Sequence, residues 1–144
     1  MPRFRLRLPR AVRPVVPRVK LRYAPEPDGL PDPGEVCWAW VPYEDDPARG
    51  KDRPVLIIGS DADRLLALQL TSKDHDRDAG QEAAAGRFWM DVGAGGWDPN
   101  GRPSEVRLNR LLRLAPADVR REGAALDAGV FQDVMVAARP YLDR

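Results

Sequence analysis

Three observations predict a mainly β domain: a small antiparallel barrel closed by one amphipathic helix. Short apolar runs recur after Pro31-Asp32-Pro33-Gly34, and clusters of turn formers separate them. Only at the carboxyl end does the hydrophobic period change from strand-like runs to three- and four-residue steps. At 144 residues the chain suits one domain that buries roughly two thirds of its unfolded surface.

The elements follow in order. In the first strand Val36, Trp38 and Trp40 share one face while Cys37, Ala39 and Val41 share the other. Both faces are apolar, which predicts a central strand. The stretch YEDDPARGKD reads as a polar loop of turn formers. Residues 55–58 and 65–70 are expected to pair as a hairpin through Gly59-Ser60-Asp61-Ala62-Asp63. Pro54 cannot donate to a ladder, so it marks a strand start or an edge. SKDHDRDAGQEAAAG reads as a mobile loop, FWMDVGAGGWD as a short strand ending in glycines, and SEVRLNRLLRL as one or two more strands. That makes four to six strands. Leu126, Val130, Phe131, Val134, Met135 and Ala138 then form a helical stripe, with Asp127 as N-cap and Pro140 as stop.

Charge divides the chain. Residues 1–33 hold eight Lys or Arg against three acids, whereas residues 34–144 hold fifteen against nineteen. The basic part also carries eight of the fifteen prolines, which predicts an extended arm (1–33) ahead of the barrel domain (34–144). Such an arm suits capture of a polyanion or serves only as a solubilising tail. A single cysteine, Cys37, excludes an internal disulfide and sits in an apolar stretch. Neither a membrane span nor a secretory signal is visible, so a cytoplasmic protein is expected.

One histidine and one cysteine supply no ligand set for zinc, so no metal and no cofactor are expected. Gly93-Ala94-Gly95-Gly96 lacks the Lys-Ser/Thr of a phosphate-binding loop, and no GxSxG context exists for a serine triad. What stands out is Arg53-Pro54 opening one hairpin strand and Thr71-Ser72 closing the next, with Arg49 and Lys51 at the same end. A guanidinium beside two hydroxyls is a corner for phosphate; a cation at a strand start beside a loop hydroxyl is the plainer alternative.

In the order of these parts the chain resembles the MazF/PemK toxins of type II toxin–antitoxin systems. The carriers are PGEVCWAWV, GKDRPVLIIG, LALQLTS, SEVRLNRLLRLAPADV and the closing helix. Its KDHDRD and VPYEDDPARGKD tracts look most like an actinobacterial-type branch. The resemblance implies an SH3-like barrel, a homodimer, a separately encoded antitoxin as partner, and metal-independent cleavage of single-stranded RNA through a 2′,3′-cyclic phosphate. By matched position it implies that Arg53, Thr71 and Arg107 act in catalysis and that Ser72 and Asn109 hold substrate; Arg49 and Lys51, placed at the same end by the loop itself, are expected to add substrate-binding charge. Asn109 departs from the Arg-x-Asp of the family and cannot accept a proton. His75, whose ordinary pKa of about 6.5 suits proton transfer, and Glu105, on the same strand face as Arg107, are the substitutes considered for the base. Two other functions fit the same architecture: poisoning of DNA gyrase by contact, and a catalytically silent RNA-binding module.

Overall fold

The computed structural model describes residues 31–72, Glu82 and residues 84–142. Among the described residues seven strands and a terminal helix follow in the order β1 (Glu35–Tyr43), β2 (Asp46–Asp61), β3 (Arg64–Thr71), β4 (Trp89–Gly93), β5 (Ser104–Arg107), β6 (Leu112–Leu114), β7 (Val119–Ala125) and α1 (Ala128–Leu142), with a 3-10 turn at Pro116–Asp118. All the pairings are antiparallel, and the strand order β4-β5-β3-β2-β1-β7 curls into a half-barrel. The outer edge of β3 is shared: β5 takes Leu70 and Thr71, and β6 takes the stretch from Leu65 to Ala67.

Alternation along β1, β2 and β3 builds two cores, one on each face of the sheet. Val36, Leu56, Ile58, Leu66 and Leu68 point toward α1, where Phe131, Val134, Met135 and Ala138 cover them. Cys37, Ala39, Val41, Val55, Ile57 and Ala67 fill the inside of the curl with Leu112 and Leu114. Each large aliphatic or aromatic side chain withdrawn from water in this way contributes about 1.5–3 kcal/mol. This double burial is why these strands read as continuous apolar runs. It also explains why Trp40 departs from the pattern: β7 pairs with β1 only as far as Ala39, and Trp40 is left 56% exposed.

Four details differ from the sequence reading. The stretch 46–52 is not a loop; it belongs to β2, which pairs back to Tyr43↔Asp46 after a register shift and leaves Glu44 and Asp45 as the turn. Gly50 permits this, because a Cβ there would sit 2.5 Å from the Val41 carbonyl and 2.9 Å from the Trp40 ring. Pro54 lies well inside β2, opposite Trp38, but the β3 pairing begins only at Val55, so the strand has a partner on one side there and no ladder donor is lost on the other. β7 was not expected, since VRREGAA lacks a run of apolar residues. Finally, α1 runs through Pro140 to Leu142. Proline forfeits only the bond to the Val136 carbonyl, and Val136 lies on the exposed side of the helix, where water can replace that bond.

Other expectations match. Asp127 caps α1 by accepting from the Gly129 and Val130 amides at 3.0 and 3.2 Å. The β2–β3 hairpin forms, with a bulge between Ile57 and Gly59 and a tight turn in which Ala62 takes φ 58°. The basic arm, apart from its last residues, and the tract 73–81 with His75 lie outside the described residues. Asp32, at the end of the arm as read from sequence, is buried, and its amide donates to Glu35 Oε1 at 2.8 Å.

Candidate active site

Where the β1–β2 turn, the carboxyl end of β3 and the amino-terminal side of β4 meet β5, the curled sheet leaves a groove of about 1020 Å³. Arg53, Lys51, Thr71, Ser72 and Arg107 all line it. Continuing the Val55↔Gln69 register by two residues sets Arg53 across from Thr71. Arg49 does not line the groove; it is exposed beside Asp46 at 4.0 Å. Glu105 is buried against Thr71 and Asp91 in the β-ladder and does not line the groove either.

The cations of the groove fall into two kinds. Arg53 and Lys51 form no ion pair with any described residue. Arg107, by contrast, is 4% exposed and fully engaged. Its Nη1 and Nη2 donate to the two carboxylate oxygens of Glu44 at 3.0 and 3.3 Å, and its Nε donates to Asn109 Oδ1 at 2.6 Å. The Trp89 ring lies beneath it, 6.0 Å from the guanidinium carbon, at cation–π range.

Asn109 acts as a bracket behind this arginine. Its carbonyl oxygen also accepts from the Phe88 amide at 3.2 Å, and its Nδ2 donates to the Gly86 carbonyl at 2.6 Å. It lies outside the groove lining. An aspartate could accept the first two bonds but could not make the third.

Sequence reasoning missed Arg110 and Glu44. Arg110 Nη2 donates to the Pro42 carbonyl at 2.8 Å and Nη1 to Gln69 Oε1 at 3.4 Å, which ties the bend after β5 to β1 and β3. Burial lowers its pKa; Glu44 opposes that shift, while the like charges of Arg107 and Arg53 add to it. Three guanidinium groups therefore lie near one another at one end of the groove, and the Glu44 carboxylate is hydrogen-bonded to one of them, Arg107. The Glu44 carboxyl is held below its ordinary value, first by the Arg107 hydrogen bond and, against some burial, by the charges of Arg107, Arg110 and Arg87. Of the other groove acids, Glu82 pairs with Arg87 at 2.8 Å, Asp98 with Arg102 at 3.0 Å and Asp52 with Arg120, while Asp45 forms no ion pair with a described residue. Of the glycines at 93–96, Gly95 lies directly under the Trp97 ring and Gly93 takes φ 79°. No cluster of three His, Cys, Asp or Glu side chains able to hold a metal occurs among the described residues.

A domain of this architecture, with a cationic groove at the open end of the β2–β3 hairpin, matches the model of the PemK-like, MazF-like toxins of type II toxin–antitoxin systems over residues 32–142. The chain belongs to that family. A search of curated proteins found no match. Among the described residues no helix is long and apolar enough to cross a membrane.

Proposed function

We propose that this toxin-family domain is an endoribonuclease that cleaves single-stranded RNA by transesterification, with no metal or cofactor taking part. The observation that carries the reading is the convergence of Arg53, Arg107 and Arg110 beside the hydroxyls of Thr71 and Ser72. The charge of Arg110, disfavoured by burial and by the like charges of Arg107 and Arg53, is relieved by a dianionic phosphorane, so the cluster favours the transition state over the singly charged diester. The ribose 2′-hydroxyl attacks its own phosphorus, the P–O5′ bond breaks, and the products are a 2′,3′-cyclic phosphate and a 5′-hydroxyl. Arg53, which forms no ion pair with a described residue, binds the non-bridging oxygens, and Thr71 and Ser72 donate to the same phosphate. Lys51 and Arg102 extend the charge along the strand.

Family membership further supports a homodimer, a cytoplasmic setting and regulation by a cognate antitoxin that covers the groove. The deciding experiment incubates the purified protein with a long unstructured RNA in EDTA and analyses the ends. Cyclic phosphate and 5′-hydroxyl termini are expected. Strict Mg²⁺ dependence or 5′-phosphate products would overturn the mechanism. Toxicity that survives loss of both Arg53 and Thr71 would favour gyrase poisoning instead.

A further inference from the structure

Transesterification needs a group to take the 2′-hydroxyl proton. Asn109 is neutral and faces away from the groove, and Glu105 is buried in the ladder. We infer that Glu44, in the β1–β2 turn, is the general base of this site, an inference that rests on the endoribonuclease reading above. Its carboxylate lines the groove with its side chain 53% exposed, so it is open to a substrate hydroxyl. It is also held at a fixed position by two hydrogen bonds from Arg107, a guanidinium that is itself fixed by Asn109 and Trp89. Of the other acids on the groove, Glu82, Asp98 and Asp52 are engaged by arginines other than Arg107, and Asp45 forms no ion pair with a described residue. Glu44 alone is joined to one of the three converging guanidiniums.

The step balances without any co-reactant. The O2′ proton passes to a Glu44 oxygen as the O2′–P bond forms; the P–O5′ bond breaks, and O5′ takes a proton from water. The carboxylic acid then returns its proton to solvent. Arg107 serves both partners, since it lets go of part of its hold on the carboxylate as negative charge moves onto the phosphorane. The groups facing Glu44 are Arg107, Arg110 and Arg87, with Asp45 beside it in the turn, so the carboxylate stays ionised through neutral pH.

The test is single-turnover cleavage by wild type, Glu44→Gln and Glu44→Asp across pH, with folding followed by thermal melts. Glutamine can still accept from Arg107, so the fold should hold. The inference expects kcat of Glu44→Gln to fall by about 10²-fold or more while RNA binding is unchanged or tighter. It expects wild-type kcat to hold level down to about pH 5, with no limb near the histidine range. Glu44→Asp, with a retracted carboxylate, should be slowed but keep that pH profile, which separates lost chemistry from lost fold. If wild type yields cyclic phosphate and Glu44→Gln cleaves as fast or faster, Glu44 only shields Arg107 and the inference fails while the endoribonuclease reading stands. A limb near pH 6.5 that disappears in His75→Ala would also overturn it, and a wild type inert on RNA overturns both.

Discussion

The two arginines proposed for catalysis live in opposite circumstances. Arg53, on β2, carries a charge that no described side chain neutralises. Arg107, on β5, is walled in by Glu44, Asn109 and Trp89. A free cation costs the fold little to remove and is immediately available to a phosphate. An engaged one is part of the architecture and reaches substrate only by giving up existing partners. The same residue type thus does different work according to what surrounds it.

The largest expected effect breaks this comparison on the side of Arg53. Arg53→Ala should reduce RNA cleavage by about 10²-fold or more, the scale of losing one preorganised transition-state contact, with melting temperature unchanged or slightly raised. A raised value would follow from relieving Arg110 of a like charge. Steady-state cleavage and a melt on the same preparation check both halves. Arg107→Ala should instead lose stability as well as activity, by about 3 kcal/mol, since it strips hydrogen bonds from Glu44 and Asn109 and leaves a void over Trp89. Urea titration measures this; a variant as stable as wild type would show the network to be ornamental.

Asn109→Asp sharpens the point. It should destabilise by about 1–2 kcal/mol, because a carboxylate cannot donate to the Gly86 carbonyl and is pressed against it, and cleavage should not accelerate. A faster enzyme would mean that the position handles the proton after all.

Acid should weaken the Arg107 side selectively. The Glu44 carboxyl is depressed below its ordinary 4.5, so the stability it contributes is complete above that pH and is lost as pH falls through its lower folded value. Asp98, lowered by the Asn100 amide and by Arg102, behaves likewise below 3.8. Urea titrations between about pH 6 and pH 3 should give a shallower acid slope for Glu44→Gln than for wild type. The smallest effect lies away from the groove: Ala62→Gly should stabilise by about 0.5–1 kcal/mol, because Ala62 holds a left-handed φ that glycine adopts freely.

What the sequence disclosed depends on range. The hairpin of β2 and β3 was legible because Arg53, Thr71 and the apolar runs between them are tied by local alternation, and register then places them together. The Arg107–Glu44 contact spans 63 positions, and no periodicity reports it. Glu44 was hidden further because residues 46–52 carry turn-forming composition yet extend β2, which pulls the true turn back onto Glu44 and Asp45. Arg110 escaped notice because β5 ends at Arg107 and the chain bends before β6, so strand alternation gives no guide to its direction.

The divided edge of β3 has a mechanical consequence. β4 and β5 make a two-stranded leaf that, among the described residues, pairs with the rest of the sheet at Leu70↔Val106 and Thr71↔Glu105, so its attachment lies beside the proposed phosphate corner. Near its far end Phe88 stacks on Tyr141 of α1, with ring centres 5.5 Å apart. Phe88 directly precedes Trp89, the residue paired with Arg107 and stacked beneath its guanidinium, so the last turn of the helix and the Arg107 network share one support.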